Sequence, residues 1–255
     1  MPRPSAPRAA SAGSEPLPRL AAALRRANST LRLTLCPIFV AVVTSAVATA
    51  QEPVSFATED GWTIHADLYG TGERAVVLVH GGRFTKKDWS AQARALTEAG
   101  FRVLAIDLRG FGMSKDGPPS LNTDAGPGLD VLAAVRHLRK LGATSVSIVG
   151  ASMGGDAAAD ALGEAKPGEI DRVVLLAHGG YGPPETLHGR KLFIVARDDA
   201  NAAGPRLPRI RAQYDKAPEP KELVLLDGSA HAQFLFGSDQ GERLMREILR
   251  FLTAP

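Results

Sequence analysis

Beyond Pro53 the chain alternates between short apolar runs and amphipathic stretches of helical period. Thr63–Tyr69 alternates as a half-buried strand after a turn at Asp60-Gly61. Ala75–His80 (AVVLVH), Arg102–Asp107 (RVLAID), Ser145–Val149 (SVSIV), Arg172–Ala177 (RVVLLA), Lys191–Ala196 (KLFIVA) and Glu222–Leu226 (ELVLL) are continuous runs, the pattern of strands buried on both faces. Between them lie predicted helices at Trp89–Ala99, Leu129–Leu141 and Met153–Leu162. In the second, Leu132, Val135 and Leu138 share one side while Arg136, Arg139 and Lys140 face water. Gly100 and Gly142 stand where a left-handed residue ends a helix. Residues 200–208 read as a loop and residues 209–216 as a further helix. A final helix over residues 240–252 is expected to open with a capping box, Asp239 with Glu242. Strand–helix alternation with wholly apolar strands predicts an α/β fold: a doubly wound, mostly parallel sheet with helices on both faces. No repeat and no second domain interrupt it, so residues 51–255 are taken as one domain.

Residues 1–50 differ. Six arginines and a single acid precede or enter an apolar run from Leu33 to about Ala48, and Ala48-Thr49-Ala50 fits a small-residue cleavage site. The expectation is a signal peptide cleaved near Ala50 and an exported (periplasmic or secreted) body, with an uncleaved membrane anchor as the alternative. Any contact with a membrane would then be through this segment alone. Removing the leader leaves 24 basic and 26 acidic residues, so the basic balance of the whole chain belongs to the leader. With aromatic residues at 5%, the body has neither the charge nor the stacking surface of a nucleic-acid binder. Cys36, the one cysteine, lies in the leader, which leaves the body no thiol for a disulfide, a thiolate nucleophile or a cysteine metal site.

The strongest chemical signal is Gly150-Ala151-Ser152-Met153-Gly154, set between the strand SVSIV and an Ala-rich helix. A G-x-S-x-G in a strand–turn–helix context presents its serine on a tight turn at a helix N-terminus. A neutral hydroxyl needs a base. His231 follows the last strand and so falls on the same rim of the sheet as Ser152. His178 also ends a strand and is the main rival, while His137 sits among basic neighbours on a helix and is expected in water. The base in turn needs a carboxylate. Asp198 and Asp199 both follow the strand KLFIVA; Asp199 is preferred because a two-residue spacer after Ala196 reaches it, with Asp198 as spacer or turn former. Backbone N–H groups for a developing oxyanion are expected at Met153 and at Gly82, or Arg83, in the loop His80-Gly81-Gly82-Arg83.

Together, the HGG loop, the segment Asp107-Leu108-Arg109-Gly110-Phe111-Gly112-Met113-Ser114, the GASMGG turn, the acid at Asp198/Asp199 and His231 resemble the α/β-hydrolase superfamily, over residues 54–252. The order nucleophile, acid, histidine is that family's order. The resemblance implies a hydrolytic site above the carboxyl ends of the strands, with no metal and no organic cofactor. Only a short loop separates the strands at Ala177 and Lys191, where many members insert a helical cap. The chain therefore resembles small cap-less serine esterases and dienelactone-hydrolase-like proteins, although true dienelactone hydrolases use cysteine where Ser152 stands. The expected activity is hydrolysis of small or medium carboxylic esters through Ser152, His231 and Asp199. A thioesterase or peptidase on the same residues is the alternative, and a non-catalytic binding protein a more distant one. The expected partner is a small-molecule ester. Tyr181, Trp89, Phe84, Phe111, Phe234 and His178 are candidate pocket walls.

Overall fold

The computed structural model describes residues 51–115, 117 and 126–255; the leader, its cleavage site and Cys36 lie outside the described residues. In chain order the elements are β1 (Glu52–Ala57), β2 (Thr63–Tyr69), β3 (Arg74–Val79), α1 (Ser90–Glu98), β4 (Arg102–Ile106), α2 (Gly128–Lys140), β5 (Ser145–Ala151), α3 (Met153–Glu164), β6 (Arg172–Leu176), β7 (Arg190–Ala196), β8 (Ala200–Asn201), β9 (Gly204–Pro205), α4 (Leu207–Lys216), β10 (Lys221–Leu226) and α5 (Gly241–Thr253). Among the described residues the main sheet has the order β1-β2-β4-β3-β5-β6-β7-β10. The pairings β1/β2 and β2/β4 are antiparallel and all others parallel. Consecutive residues Ala75–Val79 are all buried, as are Val173–Leu176 and Leu192–Ala196. Successive strand side chains point to opposite faces, so burial of every residue means both faces are covered.

Topology places the site. The chain leaves β3 toward β4 through α1, then crosses back through α2 to β5 and continues to β6. Connections thus diverge above the β3/β5 boundary, and a crevice opens at such a switch point. Between β6 and β7, residues 177–189 carry a single 3-10 turn, Pro184–Thr186, and no cap.

Four features depart from the sequence reading. The strand β1 has only Val54 and Phe56 half-buried, a weak alternation at a sheet edge that leaves little apolar signal. The loop expected over residues 200–208 contains the small β8–β9 hairpin, with Ala200 opposite Pro205. Trp89 belongs to a 3-10 turn, Lys86–Trp89, that precedes α1, and it is a fully buried core residue against Phe236. The capping box at Asp239 does not form: the helix cap falls at Gln240 without a side-chain bond. The chain enters α5 from a 3-10 turn ending at Gly237, and Gly241 N–H donates to the Ser238 carbonyl, which takes Asp239 out of register for capping.

The loop after β3 is held from below by buried charge. Lys86 Nζ donates to Asp67 Oδ1 of β2 at 2.5 Å, both side chains being buried. Lys86 N–H donates to Asp107 Oδ1 at 2.8 Å, and Asp107 Oδ2 accepts from Met113 N–H at 2.9 Å. Removing one member of a buried pair strands the other. Lys86→Ala is expected to cost about 3–5 kcal/mol in urea unfolding, and adding Asp67→Asn to it is expected to recover a substantial part of that loss.

Candidate active site

At the end of β5 the chain must reverse into α3 within one residue. Ser152 takes φ 51° and ψ −118°, a left-handed backbone that a non-glycine residue adopts only when its surroundings enforce it. The enforcement is close packing. A Cβ on Gly150 would overlap the Gly154 carbonyl, and a Cβ on Gly154 would overlap the carbonyls of Val79 and His80. The tiny residues flanking the serine therefore let α3 press against the end of β3. Two further non-glycine residues on this rim have positive φ, Ala177 at 47° and Ala232 at 50°. They precede His178 and follow His231, so left-handed backbone clusters around the crevice.

The structure brings Ser152, His231 and Asp199 together from three separate loops. Ser152 Oγ lies 2.8 Å from His231 Nε2, and His231 Nδ1 lies 2.7 Å from Asp199 Oδ2. Asp199 is fully buried, whereas Asp198 is exposed and its N–H donates to the Gly228 carbonyl. A buried carboxylate accepting from Nδ1 leaves Nε2 as the nitrogen that faces the serine hydroxyl. The β8–β9 hairpin returns the chain so that Arg206 N–H donates to the Asp199 carbonyl at 2.8 Å. Arg206 Nε stands 3.3 Å from Asp199 Oδ1, close enough for attraction but not aligned for a hydrogen bond. The sequence reading missed Arg206, since only the hairpin brings it back to the acid.

The loop His80–Arg83 closes the other side. A Cβ on Gly81 would stand 3.4 Å from Ser152 Cβ, and one on Gly82 3.8 Å from Met153 Sδ. His80 accepts at Nε2 from Leu108 N–H at 3.1 Å, so Nδ1 carries the proton and donates to the Gly81 carbonyl at 2.9 Å. Burial pushes the His80 pKa down, which keeps the ring neutral in this bridging role. Gly81 N–H donates to Gln233 Oε1 at 2.7 Å, across 152 residues. Gln233 was also missed; it lies two positions after His231, and it ties the glycine loop to the histidine loop. Among the described residues the N–H groups of Gly82 and Met153 have no acceptor, and both belong to the backbone around Ser152.

The other candidates sort differently. His178 is 1% exposed and takes no part in the Ser152–His231–Asp199 chain; its ring meets Phe193 at 5.5 Å. Burial pushes its pKa down to about 4. His137 is not in water: it stacks on Phe56 at 4.8 Å and is half-buried, because β1 covers that part of α2. Phe84 and Phe234 pack on one another at 4.9 Å, and Phe111 meets the edge of His80 at 5.1 Å. Tyr181 is exposed and, with His178, lines a cavity of about 750 Å³ beside α3. In the segment 107–114, Arg109 is paired to Asp60 and Asp130, a structural network. Among the described residues, no group of three or more His, Cys, Asp or Glu could hold a metal ion, and no helix is long and apolar enough to cross a membrane.

Comparison with known proteins identifies the family. The model of the alpha/beta hydrolase fold family matches residues 74–252, and the chain belongs to that family. A 2-hydroxy-6-oxononadienedioate/2-hydroxy-6-oxononatrienedioate hydrolase of Burkholderia vietnamiensis is 34% identical over 180 residues, 65% of this chain and 59% of the relative. A non-heme haloperoxidase of Rhodococcus erythropolis is 33% identical over 125 residues, 49% of this chain and 43% of the relative. The chain thus spans about half the length of the curated relatives it matches. Among solved structures, an esterase of Pyrococcus furiosus superposes with a TM-score of 0.67 at 20% identity, covering 80% of this chain and 92% of that one. A bromoperoxidase of Bacillus anthracis gives 0.65 at 18% identity, covering 80% and 100%. At such identities these superpositions concern the fold.

The buried His178 predicts a pH signature. Its pKa falls from 6.5 in the unfolded chain to about 4 in the fold. Between those values the unfolded state binds the extra proton, so the contribution of neutral His178 is intact above pH 6.5 and is lost as pH falls toward 4. Urea unfolding of the native protein and His178→Gln at pH 7 and pH 4.5 should show the difference between them shifting by up to about 3 kcal/mol toward the variant at the lower pH.

Proposed function

We propose that this protein is a serine hydrolase of small or medium carboxylic esters. The observation that carries the reading is the unbroken hydrogen-bond chain Ser152–His231–Asp199, set on a strained turn at the N-terminus of α3. Its family is one of hydrolases and related enzymes. In the proposed reaction His231 Nε2 takes the proton as Ser152 Oγ attacks the ester carbonyl. Asp199 steadies the imidazolium that forms. The N–H groups of Gly82 and Met153 receive the oxyanion, helped by the positive end of α3. The imidazolium then protonates the departing alcohol. A water deprotonated by the same histidine breaks the acyl-enzyme, and the acid leaves. All of these groups belong to the chain itself, so the reaction as written draws on no cofactor. The absence of a cap between β6 and β7 favours substrates that enter from open solvent over long lipids that require a lid.

Gln233 acts on this reaction through Gly81. By taking the Gly81 N–H it leaves the next amide, Gly82, for the oxyanion.

Ser152→Ala is expected to lower kcat for p-nitrophenyl butyrate by at least about 10³-fold. Unchanged turnover would remove Ser152 from the reaction, and a panel of matched ester, thioester and aminoacyl substrates would separate the ester reading from its thioesterase and peptidase rivals. Gln233→Ala, which frees the Gly81 amide, should lower kcat on the same ester about tenfold while leaving KM nearly unchanged; a change confined to KM would place Gln233 in substrate binding instead.

A further inference from the structure

The β8–β9 hairpin brings a cation beside a fully buried carboxylate. Asp199 Oδ2 is taken by His231 Nδ1 at 2.7 Å, while Oδ1, also sealed from water, has no hydrogen-bond partner. Arg206 Nε stands 3.3 Å from Oδ1, on a side chain that is only 15% exposed. Two other charged residues adjoin Asp199 in sequence, but Arg197 and Asp198 are exposed, and Arg197 pairs with Asp227, on the loop after β10, at 3.2 Å. The carboxylate thus faces His231 from the loop after β10 and Arg206 from the end of the hairpin. A carboxylate taken out of water needs a compensating charge as well as hydrogen bonds. His231 supplies the bond but no standing charge, because a base starts the reaction without the proton that it will accept.

Arg206 stands where its own helix does not favour it. It is the N-cap of α4, makes no side-chain cap bond there, and the first turn of α4 contains Arg209 and no acid. N-caps favour short side chains that accept a hydrogen bond, and the positive end of a helix repels cations. Among the described residues the guanidinium has no ion pair other than Asp199. Helix formation therefore gives no reason for an arginine at this position, whereas the carboxylate 3.3 Å away does. The tie is also one-sided. Nε attracts Oδ1 without a hydrogen bond aligned on it, so no directional bond competes with His231 for the carboxylate, and Oδ2 keeps the histidine as its partner.

We propose that Arg206 is a positioning residue of the hydrolytic site: its charge offsets that of buried Asp199 and holds the carboxylate with Oδ2 turned to His231 Nδ1. Arg206 acts through Asp199 alone and touches no reacting atom. While His231 is uncharged, Arg206 is the cation that balances the acid. Once His231 has taken the Ser152 proton, the carboxylate lies between two cations and steadies the imidazolium without turning away from it. The proposal rests on the reading of Ser152, His231 and Asp199 as the reacting chain, whereas the contact between Arg206 and Asp199 stands without it.

On p-nitrophenyl butyrate, Arg206→Gln, which removes the charge and keeps much of the bulk, should lower kcat about tenfold with KM changed less than about twofold. Arg206→Lys, which keeps the charge, should recover at least about threefold of that loss. The bond from the Arg206 N–H to the Asp199 carbonyl is made by the main chain, so neither variant removes it. In an Asp199→Asn background the Gln substitution should alter kcat less than about twofold, since the charge it balances is gone. A loss of equal size in both backgrounds, or a Lys variant no better than Gln, overturns the proposal and leaves Arg206 as a tie of the hairpin. Should Arg206→Gln not fold, Arg206→Met, neutral and equally unbranched, takes its place in every arm. A second readout needs no turnover. In Ser152→Ala the far-downfield proton NMR signal of His231 Nδ1–H reports the bond to Asp199. Adding Arg206→Gln should move it upfield or broaden it by exchange, and adding Arg206→Lys should not; a signal unchanged by the Gln substitution overturns the proposal. If the native protein cleaves no ester, the ester reading fails and the NMR signal alone decides the role of Arg206.

Discussion

Everything at this site depends on how closely α3 can approach β3. The amide plane after Ser152 has to lie beside the loop that follows β3, and the backbone carbonyls of Val79 and His80 already occupy the space where a Gly154 side chain would go. Only a residue without a Cβ allows that contact. Once the contact is made, Ser152 has no ordinary backbone conformation left and adopts the left-handed one. Strain at Ser152 is thus the local cost of a packing requirement set by the sheet, and the sheet, buried on both faces, is rigid enough to impose it.

The second tier of the design is a set of polar ties between loops that share no sequence proximity. His80 bridges its own loop to Leu108, Lys86 ties the same loop to Asp67 and Asp107, and Gln233 ties it to the segment carrying His231. Each tie satisfies a backbone amide or a charge that burial would otherwise leave unpaired. The loop after β3 and the segment carrying His231 are therefore held by groups outside the Ser152–His231–Asp199 chain. These loops are joined through buried polar atoms that are each other's partners.

Much of this was legible in the chain. The central strands, the serine turn and the histidine loop all read directly, because buried strands and sharp turns impose strong local composition. Asp199 over Asp198 was a preference of spacing; the structure separates them by burial, with the former enclosed and the latter in solvent. What stayed hidden had long-range causes. The strand β1 shows few apolar residues because a sheet edge buries only one row, and His137 looked solvent-facing because its cover, Phe56, arrives from that unseen strand. Arg206 and Gln233 carry no local signature at all, since their partners lie across a hairpin or across 152 residues.

The chain order of the hydrogen-bonded trio has a consequence for biogenesis. Ser152 meets His231 across 79 residues, and His231 is delivered only by the loop that follows β10. The last parallel pairing, β10 on β7, must dock before His231 can reach the Ser152 hydroxyl. During synthesis the turn at Ser152 can form early, yet its hydroxyl has no His231 to pair with until β10 finds its place. Non-local pairing of this kind is the slow part of folding. The Ser152–His231 contact is therefore a clock for the completion of the sheet rather than for the formation of its centre.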